Sequence, residues 1–188
     1  MKKIGICIIF ASLIACGSTS TATAPEANKT TPTKKSTSTS EKPDMLVGNQ
    51  NREAFLQEPF TTWFTPNYDE YNPEEEVVNN LKPLLGDVKI KAFMGTWCGD
   101  SKRETPTFYK ILDQADFDYT KLDLVTVDRT KTTPDGLEKG YDIQRVPTFI
   151  FYKNGEEIGR YVEYARESLE KDMLAILSGK DYKHSYED

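Results

Sequence analysis

The stretch Lys89–Gln114 of this 188-residue chain, KIKAFMGTWCGDSKRETPTFYKILDQ, leaves few folds open. The run from Val88 to Met94 alternates and then turns continuously apolar, the pattern of a short buried strand. Gly95 and Thr96 break it. From Ser101 onward Phe108, Ile111 and Leu112 recur at helical spacing, so Cys98 falls where a strand ends and a helix begins. The first turn of a helix leaves backbone N–H groups unpaired and carries the positive end of the dipole, which stabilises a thiolate placed there. Lys102 and Arg103 add positive charge nearby, while Asp100 and Glu104 oppose it. Pro106, inside the helix, removes one ladder bond and should kink it.

The flanking segments supply the rest of a mixed sheet. Pro73-Glu-Glu-Glu opens a helix with the acidic first turn that the dipole favours. Val77, Val78, Leu81, Leu84 and Leu85 form its apolar face, and Gly86 stops it. Tyr119–Val127 alternates around Leu122, Leu124 and Val127 and predicts a strand beside the central one. Asp128–Pro134 reads as a polar loop and Pro134–Gly140 as a short helix, with Tyr141 and Ile143 packed behind it. Thr148–Tyr152 and Glu157–Tyr164 form a hairpin around Asn154-Gly155. Arg166–Leu177 closes the domain as a helix with Leu169, Met173, Leu174, Ile176 and Leu177 inward. The predicted fold class is α/β, a mixed central sheet with helices on both faces.

Three motifs agree in order and spacing with one family. Trp97-Cys98-Gly99, a proline eight residues past the cysteine, and Val146-Pro147-Thr148 before the apolar strand Phe149–Tyr152 resemble the thioredoxin family. The resemblance covers residues 74–179, and within the family the chain resembles thioredoxin-like lipoproteins of Bacteroidetes-type bacteria. It implies that Pro147 is a cis-proline facing Cys98, against the alternative of an ordinary trans proline at a strand edge. Val146 would then present its backbone to an extended partner peptide, with Gly99 and Asp100 on the same binding surface. Trp97 either shields one side of the thiol or packs at the core edge.

Two departures decide what such a site can do. The family's redox motif is Cys-x-x-Cys, and here Ser101 stands at the second cysteine position. Ser101 can hydrogen-bond a Cys98 thiolate one turn away or simply cap the helix, but it cannot attack a mixed disulfide. The family's buried aspartate on the central strand corresponds to Ala92, so the proton acceptor of the resolving step is missing too. These features imply a monothiol protein. Cys98, the catalytic candidate with Ser101 and Trp97, would exchange with a thiol- or disulfide-bearing client protein or a small thiol. The alternative is a binding or assembly module that keeps the fold without the redox cycle, Cys98 then being a small buried hydrophobe. Cys98-Gly99-Asp100-Ser101 also resembles the iron–sulfur motif of monothiol glutaredoxins, for which a cell-envelope lipoprotein is a poor setting. No cofactor is expected. With His184 the sole histidine, no metal site is expected either.

The N-terminal segment looks like an address. Lys2 and Lys3 precede an apolar run from Ile4 to Ile14, and Leu13-Ile14-Ala15-Cys16 resembles a bacterial lipobox. That resemblance implies a signal peptide over residues 1–15 and lipidation at Cys16; the alternative is an ordinary signal peptide with an incidental cysteine. Cys7 would leave with the signal and Cys16 would carry lipid, so Cys98 would be the one free thiol of the mature chain. The implied location is the cell envelope, anchored by lipid, with the periplasmic side of the outer membrane favoured. Residues 16–45 read as a disordered tether: thirteen of the twenty-four residues from Gly17 to Ser40 are Ser or Thr, and no aromatic occurs before Phe55 on the way from Gly17. Residues 46–73 form an aromatic-rich extension in which Arg52–Gln57 reads as a helical turn and Pro59–Pro73 as a long ordered loop or an extra strand. Its aromatics either cover the sheet edge or a helix face, or form a partner-selecting platform beside Cys98. Residues 180–188 are a polar tail. A net charge of −6 lacks the basic stripe that nucleic acid demands, so no nucleic-acid partner is expected.

Overall fold

The structure, a computed structural model, describes residues 44–188. The expected signal segment, Cys16 and the tether up to residue 43 lie outside the described residues.

Five strands make one sheet in the order β1-β3-β2-β4-β5. The central strand β2 (Val88–Met94) has the predicted bounds and buries every position but Lys89. On one side it pairs in parallel with β3 (Leu122–Thr126), and on the other antiparallel with β4 (Thr148–Lys153). Residues 119–121, expected to extend β3, instead form a 3-10 turn capped by the Asp118 carboxylate on the Thr120 N–H. β4 continues into β5 (Glu156–Val162) through Asn154-Gly155, whose φ angles of 53° and 86° suit a two-residue hairpin turn. Gly159 is required where it stands, because a Cβ there would lie 2.9 Å from Ile176 of the helix above.

The N-terminal part holds two corrections. Gly48–Gln50, given no element in the sequence reading, is an edge strand, β1, antiparallel to β3. After α1 (Arg52–Phe55), residues 61–70 are neither loop nor strand but a helix, α2 (Thr61–Glu70), with Pro66 inside it. Its propensity is poor, and what holds it is tertiary. Phe64 is buried against Phe55, Tyr68 and Tyr109, with ring centroids 5.7 to 6.2 Å apart. These aromatics lie on the C-terminal half of the long helix α4 (Gly99–Gln114). Arg52 and Tyr68 both donate to Asp113 there, at 2.7 and 2.6 Å. The covering role is therefore the observed one.

α3 (Glu75–Leu81) follows, continued by a 3-10 turn over Lys82–Leu84, and α5 (Leu169–Leu177) closes the chain behind an N-cap at Ser168. The buried apolar residues of the helices join the cluster built on Ile90, Ala92 and Met94, one face of β2. On the opposite face Phe93, Val125 and Ile150 are covered by Leu137, Tyr141 and Ile143. The helix expected over 134–140 is absent, so that face carries a run of turns instead. The Thr133 hydroxyl captures the Leu137 N–H at 2.7 Å, and Glu138 takes the Thr133 N–H and hydroxyl, local bonds that compete with a helix. The polar tail is tied down: Tyr182 donates to Asp172, and Arg166 donates to the carbonyls of His184 and Glu187.

Candidate functional site

Cys98 is the N-cap of α4, with extended backbone (φ −88°, ψ 131°) and its carbonyl already accepting from the Lys102 N–H. No side chain caps this first turn, so its N–H groups face the thiol end without a side-chain acceptor. The Cys98 side chain is partly exposed, and its thiol donates to the Val146 carbonyl at 3.3 Å. The Val146–Pro147 bond is cis, and the Pro147 carbonyl accepts from the Glu163 N–H. Residues 48 positions apart in sequence thus meet at the sulfur atom.

Trp97 folds back over Gly95, where a Cβ would lie 2.6 Å from the indole. Its Nε1–H donates to the Val127 carbonyl at 2.9 Å, which pins the indole to the end of β3. The ring, partly buried, packs with Cys98 against the second apolar cluster. Gly99 is exposed and Asp100 half-exposed; the Asp100 carboxylate is bound by Arg103 at 2.8 Å.

Ser101 departs from its expected role. It is fully buried, and its hydroxyl oxygen accepts from the Gly95 N–H at 3.1 Å, bracing the strand-to-helix turn. The described hydrogen bonds include none between Ser101 and Cys98.

One group the sequence reading left unassigned is Glu104. Ala92 is buried as expected for a strand position with no acid, but Glu104 brings a carboxyl into the interior from α4, 8% exposed. Burial pushes this carboxyl above its ordinary value, against the pull of Arg103, whose Nε donates to it at 2.8 Å. Nearby Tyr161 is wholly buried, and its hydroxyl has no partner among the described atoms. A raised folded pKa means that the folded state holds its proton longer than the unfolded chain does. Stability therefore falls as pH rises from the ordinary carboxyl value through the raised one. Glu104→Gln, which stays neutral, should gain stability relative to the parent as pH rises from the ordinary carboxyl value through the raised one. Thermal melts across that range check this; a difference independent of pH would remove the assignment.

Among the described residues no group of three His, Cys, Asp or Glu side chains is placed to hold a metal ion.

A sheet of this order, with a cysteine at the start of the helix after its central strand and a cis-proline against the sulfur, defines a protein of the thioredoxin fold. A family-wide thioredoxin profile matches residues 70–175. The chain belongs to the thioredoxin family. It is similar to thioredoxin H9 of Arabidopsis thaliana, 29% identical over 92 residues that cover 49% of this chain and 61% of that protein. Thioredoxin of Gallus gallus is 27% identical over 107 residues, 53% of this chain and 96% of the relative. Among solved structures, a protein of unknown function from Pseudomonas aeruginosa superposes with a TM-score of 0.54 at 12% identity, over 70% of this chain and 93% of the other. That likeness concerns the fold alone.

Proposed function

We propose that this is a membrane-anchored thioredoxin-like monothiol protein that carries out thiol–disulfide exchange through Cys98. The observation that carries the reading is the partly exposed Cys98 at an uncapped helix start, its sulfur 3.3 Å from the carbonyl of Val146. The thiolate attacks one sulfur of a client disulfide. A Cys98–client bond forms, the client's own S–S bond breaks, and its second sulfur leaves as a thiolate. With serine at position 101, an external thiol must then attack the mixed disulfide and regenerate Cys98. Trp97 would wall one side of the sulfur, and Val146, Pro147, Gly99 and Asp100 would line the bound client strand. Ser101 acts by holding the Gly95 turn, and so by positioning the thiol.

The lipobox-like Leu13-Ile14-Ala15-Cys16 supports a lipid anchor at Cys16, with residues 1–15 removed and the Ser/Thr-rich segment as spacer. Such an anchor would hold the domain in the cell envelope, on the periplasmic side of the outer membrane, as the resemblance to thioredoxin-like lipoproteins of Bacteroidetes-type bacteria implies. Labelled fatty acid incorporated by the parent chain and lost in Cys16→Ala tests the anchor.

For the chemistry, the parent protein and Cys98→Ser are exposed to a disulfide-bearing peptide and analysed by mass under non-reducing conditions. The parent should form a one-to-one adduct that glutathione releases, and the variant none. Partner capture that survives Cys98→Ser would instead support the binding-module reading.

A further inference from the structure

The guanidinium of Arg129 lies 5.5 Å from the centre of the Trp97 ring, just past the end of β3. Two anchors fix its backbone. Val127 holds Trp97 through its carbonyl, and the Asp128 carboxylate accepts from the N–H groups of Thr130 and Thr132 at 2.9 and 3.0 Å. Arg129 is exposed and forms no ion pair or side-chain hydrogen bond with the described residues. Asp100 and Glu163, which flank Cys98 and Pro147 in the chain or through a backbone bond, are already paired, with Arg103 and Arg145 respectively. Lys102 is likewise unpaired, but it rides on the side of α4 and not on the indole that walls the thiol. A guanidinium held over the indole by cation–π attraction, with no carboxylate of the described residues bound to it, keeps N–H groups available to grip a carboxylate.

We propose that Arg129 is a specificity-determining residue of the Cys98 site, selecting disulfides that carry a carboxylate beside the attacked sulfur. The inference rests on the reading of Cys98 as the nucleophile and adds the chemical class of its substrate. A carboxylate on the client side docks on the Arg129 edge while Cys98 attacks. The Cys98–S–S–R bond forms, the R–S–S–R bond breaks, and R–S⁻ leaves with the electron pair. An acidic peptide segment flanking a cystine has this chemistry, as does a small disulfide with a carboxylate next to sulfur.

Two aromatic disulfides test it, anionic dithiobis-nitrobenzoate and neutral dithiodipyridine, each releasing a chromophoric thiol. The quantity read is the ratio of their second-order rate constants at Cys98, which cancels general changes in thiol reactivity. Arg129→Gln should lower the anionic-to-neutral ratio about fivefold at low salt, and about 1 M salt should erase most of that difference. Arg129→Lys, which keeps the charge, should recover a large part of the ratio. An unchanged ratio in Arg129→Gln, with both reagents still reacting, overturns this inference and leaves the reactive thiol intact. If neither reagent modifies the folded parent protein while both modify it in denaturant, the reactive-thiol reading falls and this inference falls with it.

Discussion

With Ser101 replaced by cysteine, the mixed disulfide at Cys98 should become short-lived. In the parent chain resolution waits for an external thiol at millimolar concentration. A second thiol one helical turn away acts intramolecularly, where effective concentrations are far higher, so the adduct's lifetime should fall at least about a hundredfold. Positions three apart on a regular helix hold their Cβ atoms about 5–6 Å apart, slightly beyond the roughly 3.5–4.5 Å of a disulfide. Cys98, however, is the cap residue, with extended backbone, so its separation from position 101 is not set by helical winding. The cost is local. Sulfur accepts the Gly95 N–H less well than the Ser101 oxygen does, and weakening that buried bond should cost on the order of 1 kcal/mol. Loss of the adduct is followed by mass spectrometry after a peptide disulfide is added and excess removed. Equal lifetimes in parent and Ser101→Cys would show that a thiol at position 101 cannot reach the Cys98 sulfur to displace the client thiolate, and the monothiol account would lose its basis.

That experiment turns on the part of the chain that local pattern reveals best. The change from strand to helical periodicity across Gly95 was legible because β2 is an almost wholly buried apolar run and the large apolar residues of α4, Phe108, Ile111 and Leu112, recur at helical spacing. Asn154-Gly155 was legible for a different reason, since few residue pairs accept two successive positive φ angles. β1 was not, because Gly48-Asn49-Gln50 carries no apolar residue and exists as a strand only by pairing with β3. α2 was hidden by Pro66, Asn67 and three threonines, its stability coming from rings on other elements. At Pro134–Gly140 the pattern misled, because Thr133 and Glu138 bond the local backbone and Gly136 and Gly140 take positive φ. In the candidate site, Cys98 was legible from its place between strand and helix, and Val146–Pro147 from its resemblance to the thioredoxin motif. The Ser101–Gly95 bond and the placement of Arg129 over the Trp97 ring depend on how β2, α4 and the end of β3 come together, which no local pattern records.

Phe64→Ala should separate scaffold from site most sharply, because its effect is large and confined to one end of α4. Phe64 is 1% exposed and sits among Phe55, Trp63, Tyr68 and Tyr109, with the Arg52 guanidinium 5.9 Å from its ring. Removing a fully enclosed phenyl ring costs about 3–5 kcal/mol, the lost transfer energy plus a cavity that the stacked neighbours cannot close. Against a total stability of about 5–15 kcal/mol this is a large fraction, equivalent to a fall in Tm of about 10 °C or more for a domain of this size. Tyr109 and Asp113, which receive α1 and α2, lie more than two turns of α4 beyond Cys98. Below its new melting temperature the variant should therefore react with dithiodipyridine at the parent rate, since no Phe64 contact reaches the Cys98–Val146 pair. Thermal melts and thiol kinetics on the same sample read both effects. A small change in Tm together with a slowed thiol reaction or lost client capture would reverse the assignment. The aromatic segment would then be part of the client-binding surface, and α2 would be held to the domain by something other than the rings around Phe64.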